Sequence, residues 1–258
     1  MRKLILSAVA AAAVMAAASA HAIPTLIFSL QDTGTAGSLV TCQVTAATLA
    51  NAPVPGCSGF NAGALNAAGN LAITFGGFVG GYALNFSSTT SNTPGTAVAA
   101  TITNSYNSVE NRTSGGSLIV SMVAIDFSLP TGPALTLFGS QSTSSNSNNV
   151  GSFINATFYA SEANSSNPST SASATTSCVV ASTTNNDCSA PTQNFTNTGL
   201  FSLQDVMRFN LLSGNSPVQG GSNLIVRNRV PEPMTTALVG LGLFGAALFS
   251  RRRKATQA

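Results

Sequence analysis

The sequence predicts an all-β protein: one antiparallel β-sandwich, jelly-roll-like, with Ser/Thr/Asn-rich loops, flanked by an N-terminal signal helix and a C-terminal single transmembrane helix. Three observations carry this. Short runs alternate apolar and polar residues with period two, and Gly, Asn, Ser and Pro separate them at short intervals. Long unbroken apolar stretches occur only near the two ends of the chain.

Taken in order, the strand-like runs are 26–30, 38–45, 70–75, 81–86, 97–103, 122–129, 134–138, 153–160, 178–182, 205–212 and 224–230. In the third, Leu71, Ile73 and Phe75 share a face. In the sixth, Val123, Ile125, Phe127 and Leu129 are expected on one face, with Met122, Ala124, Asp126 and Ser128 opposite. The joins at 87–94, 140–149, 161–177 and 181–187 are almost wholly Ser, Thr, Asn and Ala, a composition that buries little apolar area, so they are expected as surface loops. Phe28-Ser29-Leu30-Gln31-Asp32 recurs as Phe201-Ser202-Leu203-Gln204-Asp205, without matching flanks. Either two strands share similar surroundings or the repeat is coincidental.

The two ends read as targeting segments. Arg2 and Lys3 precede an uncharged, Ala-rich run over 4–18, and small residues then frame a cut at Ala18-Ser19-Ala20 or Ala20-His21-Ala22. Cleavage after Ala22 is preferred, giving a signal peptide over 1–22 and an extracytoplasmic domain over 23–229. At the other end the apolar run 234–250 would span about 26 Å as a helix, at the short end for a bilayer core. Arg251, Arg252, Arg253 and Lys254 follow it directly. Basic flanks stay cytoplasmic, so a single span with the domain outside is expected.

Between domain and span stand Val230, Pro231, Glu232 and Pro233. The prolines keep this segment extended and delay any helix. The order Val-Pro-Glu-Pro, short glycine-containing apolar span, basic cluster, chain end resembles the PEP-CTERM sorting signal of Gram-negative bacteria. The resemblance covers residues 230–254. It implies sorting and cleavage at the motif by an integral-membrane exosortase, often in cells that make extracellular polysaccharide. The partners so implied are the Sec export machinery, the exosortase, the inner membrane in passing, and exopolysaccharide. Delivery to the cell surface or matrix is the expected end point.

Composition narrows what the domain does. Between the two ends, six acids (Asp32, Glu110, Asp126, Glu162, Asp187, Asp205) face four bases (Arg112, Arg208, Arg227, Arg229), a balance of −2. The chain's formal +3 therefore belongs to its ends, and no nucleic-acid partner is expected. The single histidine, His21, lies in the signal, and Lys3 and Lys254 are the only lysines. Histidine-based triads, His-ligated zinc and lysine Schiff-base chemistry are thereby excluded from the mature domain. No nucleophile elbow or phosphate-binding Gly-rich loop is present.

Cys42, Cys57, Cys178 and Cys188 all fall in the exported part, where disulfides are the default. Of three pairings, the local one, Cys42–Cys57 with Cys178–Cys188, is preferred. Paired carboxylates could serve a glycosidase, with Asp126 and Glu162 as candidates, but six acids in one domain supply some pair by default. Glycan platforms usually expose aromatic rings; there is no Trp, and Tyr82, Tyr106 and Tyr159 are the only tyrosines. No carboxylate-dense loop suggests calcium, and no cofactor is expected. The leading expectation is a non-enzymatic surface or matrix protein. The rivals are a secreted carboxylate-dependent polysaccharide hydrolase and a plain single-span membrane protein.

Overall fold

The computed structural model describes residues 25–45, 57, 59–63, 71–113, 115–145, 151–167, 172–180, 185–214 and 216–228. The chain divides into two units after Asn228. The signal over 1–22, with Ala20 and Ala22, lies outside the described residues, as do Val230–Pro233, the expected span 234–250 and the basic cluster 251–254.

The described residues form fourteen strands in two sheets. The first sheet contains β1 (Thr25–Asp32), β2 (Val40–Thr45), β7 (Leu118–Phe127), β9 (Phe153–Ser161), β10 (Ala172–Val179) and β13 (Phe201–Asn210), in the order β10-β9-β13-β7-β1-β2. The second contains β3 (Phe60–Gly63), β4 (Leu71–Val79), β5 (Tyr82–Ser91), β6 (Ala99–Asn111), β8 (Gly132–Ser145), β11 (Asn186–Ser189), β12 (Gln193–Asn197) and β14 (Val218–Asn228). Its order is β11-β8-β14-β6-β5-β4-β3, with β12 also on β8. Every pairing is antiparallel. The pairings nest: β6 with β14, β7 with β13, β8 with β11 and β12, β9 with β10, alternating between sheets. Thr25 lies opposite Ile125, and Asn228 opposite Leu135. The first and last described residues therefore sit at the same end of the sandwich, beside the β7–β8 turn.

The inner faces obey the period-two pattern. Leu26, Phe28 and Leu30, then Leu71, Ile73 and Phe75, then Leu203, Met207 and Phe209 are all buried in one core. Edge-on rings knit the sheets together: Phe28 and Phe86 are 5.4 Å apart between centroids, and Tyr106 and Phe209 5.2 Å. Such pairs add to the burial of area.

Two expectations are corrected. On β7 the core side is Met122 and Ala124, not Val123 and Ile125. Alternation starts from Leu118 and Val120, and Asp126, at φ 69°, breaks it so that Phe127 turns inward. A register shift opposite Phe201 and Leu203 marks the same bulge. Val123, on the outer face, is covered by its cross-strand neighbours Ile27 and Gln204. Second, the hydroxyl-rich joins do not stay out of the sheets. β5 runs on to Ser91, β8 to Ser145, and β10 starts at Ala172. Ladder hydrogen bonds need no apolar side chain, and Thr suits a pleated surface.

Both disulfides have the expected local pairing, Cys42–Cys57 and Cys178–Cys188, with Cα atoms 4.8 Å and 5.8 Å apart. Their placement is not local in the fold. Cys178 is on β10 and Cys188 on β11, edge strands of opposite sheets. Cys42 is on the other edge strand, β2, and Cys57 is bonded through its carbonyl to the amide of Phe60 at the start of β3, the remaining edge. Each seam of the sandwich is stapled once.

Candidate functional site

The repeated pentapeptide occupies equivalent places. β1 and β13 flank β7 on either side, and in both copies Phe, Leu and Asp point into the core. The sequence similarity thus reflects similar surroundings, up to the last residue. Both aspartates have no exposed surface, but their settings differ.

Asp32 ends β1 where the chain turns. Its Oδ1 accepts from the Gly34 amide at 2.8 Å, and its Oδ2 from Thr35 Oγ1 at 2.8 Å and the Gly81 amide at 2.9 Å. Ser38 Oγ accepts from the Asp32 amide and donates to its carbonyl. The carboxylate thereby ties the β1–β2 turn to the β4–β5 turn of the other sheet. Gly80 makes room for it: φ is 56°, and a Cβ there would lie 2.2 Å from Oδ2. The nearby Asp32 charge adds to burial in raising the Tyr82 phenol to about 12, burial being the larger cause. Tyr82 donates to the Gly116 carbonyl at 2.8 Å.

Asp205 sits mid-strand between Met122 and Phe158. Its Oδ2 accepts from Ser222 Oγ and from Asn104 Nδ2 at 3.3 Å; Asn104 Nδ2 also donates to Ser222 Oγ at 3.0 Å. Oδ1 has no hydrogen-bond partner. Burial raises the carboxyl from 3.8 to about 7, against the opposing effect of the Ser222 and Asn104 hydrogen bonds. Burial, helped by the Asp205 charge, also raises the Tyr106 phenol. Asn104, Ser222 and Gln141 are register partners across β6, β14 and β8, so the polar group runs along the inside of the second sheet. Gln141 Nε2 donates to the Ile154 carbonyl at 2.8 Å, while Gln141 Oε1 and Thr143 Oγ1 have no partner.

On the outer side of the same three strands lies a depression of about 380 Å³. Thr103 and Ser105 of β6, Asn223 of β14, Ser140 and Ser142 of β8, and Asp187 of β11 surround Gly220 and Gly221. Glycine is required here by close approach. A Cβ at Gly220 would lie 2.1 Å from the Ser142 carbonyl oxygen, and one at Gly221 2.4 Å from that of Asn104. Thr103 Oγ1 donates to Asn223 Oδ1 at 3.3 Å. Sequence reasoning missed this site because it began the last strand at residue 224. The Gly220-Gly221 pair inside a strand was its available sign, since such glycines mark close backbone approach.

Asp126 Oδ1 accepts from Asn164 Nδ2, and the Asp126 amide donates to Asn164 Oδ1, both at 2.8 Å. This holds two residues with positive φ, 69° and 47°, against each other. Glu162 is exposed in the same turn, two residues before Asn164. The structure brings the two segments together through this paired contact of Asp126 with Asn164. Among the described residues no group of three or more His, Cys, Asp or Glu could hold a metal ion.

A β-sandwich that stops at Asn228 and a separate C-terminal unit define a passenger domain with a sorting tail. Residues 229–254 are a PEP-CTERM protein-sorting motif. The chain is therefore an exported, exosortase-sorted cell-surface protein, and the motif implies processing by an exosortase. No curated protein matches the chain. Among solved structures, bacteriophage CBA120 tailspike protein 4 is 11% identical with a TM-score of 0.31 over 59% of this chain and 20% of its own. This chain thus spans about a fifth of that protein. The family 11 carbohydrate-binding module of Clostridium thermocellum Lic26A-Cel5E is 12% identical at 0.23, over 52% and 78%. Isomalto-dextranase of Arthrobacter globiformis T6 is 13% identical at 0.27, over 77% and 29%. Similarities this low carry no argument about ligand or activity.

Proposed function

We propose that this is a non-enzymatic protein of the cell surface or exopolysaccharide matrix of a Gram-negative cell. It is exported through Sec, held in passing at the inner membrane, and cleaved at its tail by an exosortase. The observation that carries this reading is the sorting motif at 229–254, which begins directly after the last strand ends at Asn228. The nested strand pairing supports reading the sandwich as jelly-roll-like, a scaffold that displays broad sheet faces. A net charge of −2 over the domain suits a matrix of neutral chains better than nucleic acid. The test is replacement of Pro231, Glu232 and Pro233 by alanine in the native host. The expected result is an unprocessed, membrane-retained form whose intact mass still includes Arg251–Lys254. Unchanged processing and display would sink the reading.

A further inference from the structure

We infer that the depression over Gly220 and Gly221 binds a neutral glycan chain through its hydroxyls. The inference rests on the surface or matrix reading above and gives that reading a ligand and a place.

Chemistry selects the class. The lining offers hydroxyls from Thr103, Ser105, Ser140 and Ser142, one amide from Asn223 and one carboxylate from Asp187. Thr103 donates to the Asn223 side-chain carbonyl, which leaves the Asn223 Nδ2 to donate outward. No Lys, Arg or His lines the depression, and Asp187 would repel an anion, so phosphate, sulfate and uronate are poor fits. No large apolar or aromatic side chain lines it either, which disfavours a lipid or an apolar peptide. A neutral polyol remains, able to give and accept hydrogen bonds with every group present.

Shape agrees. Bare backbone at Gly220 and Gly221 lets the strand lie flush between β6 and β8, with Asn223 two residues further along β14 and Asp187 of β11 opposite Ser142. At about 380 Å³ the space is at the lower end for a ligand site, enough for a short stretch of a chain running across the strands. Without a stacking ring each contact is weak, so a polymer that repeats the same unit many times is the ligand best able to hold the protein.

The experiment uses the processed protein released from its host. It is run through native gels containing dextran, galactomannan or neutral xylan, with alginate as the acidic polymer. Retardation by at least one neutral polymer and none by alginate is expected. The double variant Asp187→Ala/Asn223→Ala should weaken that retardation at least fivefold. Gln43→Ala, on the outer face of the other sheet, should leave it unchanged. Amide resonances of Gly220 and Gly221 should shift when a dextran oligosaccharide is added to a retarded protein, with the rest of the spectrum reporting an intact fold. The inference is overturned if no neutral polymer retards the protein, if alginate does so instead, or if the double variant migrates like the parent. A protein that is cleaved and displayed normally but shows any of these results removes the ligand and leaves the sorting reading intact.

Discussion

Asp32 and Asp205 close the same five residues, on strands that flank the same neighbour, and both are wholly buried. One is saturated with donors; the other keeps an oxygen that nothing meets. The difference comes from position along the strand. Asp32 lies at the strand end, where turn amides of residues 34 and 81 are free to converge on it. Asp205 lies mid-strand, where neighbouring amides are already spent on the ladder and only side chains from the opposite sheet can reach it. A buried carboxylate is a clamp where backbone donors are available and a liability where they are not.

The largest effect should come from Asp32→Ala. It removes the acceptor for two backbone amides and a hydroxyl, and should lower unfolding free energy by about 4 kcal/mol, read by urea denaturation at pH 7. A loss under about 1 kcal/mol, the range of a surface charge, would erase the contrast.

Asp205→Asn should act the other way. The folded carboxyl titrates at about 7 and the unfolded one at 3.8, so the folded state holds the proton between them. The stability this provides is complete below pH 3.8, fades as pH rises, and is gone above about 7. Replacing the carboxyl by an amide should remove this slope and leave the variant more stable than the parent at pH 8. The gain should be about 2 kcal/mol, since the unpaired amide group offsets part of the relief. Parallel denaturation series at pH 4, 6 and 8 decide it; an unchanged slope would show that Asp205 is not the group responsible.

The smallest effect belongs to Ser222→Ala. Its hydroxyl favours the charged form, so its removal should move the Asp205 midpoint further up, at a stability loss of about 1 kcal/mol. Carboxyl NMR titration follows the midpoint directly; a downward move would reverse the assignment.

Much of the sandwich was legible in the sequence because an apolar inner face imposes period two, as at Leu71, Ile73 and Phe75. The tail was legible because its parts are ordered along the chain. The local cysteine pairing was legible because each pair brackets a short loop rich in Pro, Gly, Asn or Thr. What escaped has a common cause. Strand portions such as 140–145 of β8 and 219–223 of β14 are held by the ladder rather than by apolar side chains, so hydrophobic pattern does not report them. β3, β11 and β12, of four, four and five residues, are too short to show a period. Asp126 could not be foreseen as the point where β7 changes face, because its positive φ depends on Asn164 from another strand's turn. The depression is assembled from β6, β8, β11 and β14, which only the sheet order makes neighbours.

The two cystines have a consequence for how completion of the fold is recorded. Each joins residues only 15 or 10 apart in sequence, yet Cys178 and Cys188 lie on opposite sheets, and Cys42 of the first sheet is joined to Cys57 just ahead of β3 in the second. Neither bond fits a sheet that has formed alone. Once both are made, a covalent bond crosses each of the two seams, and the sheets can no longer part along either like the covers of a book. The strands these cystines pin, β2, β10 and β11, are edge strands, where another chain could add a strand of its own. For a protein sorted to the cell surface, the two cystines hold the sheets together along their edges and leave the broad faces uncrossed.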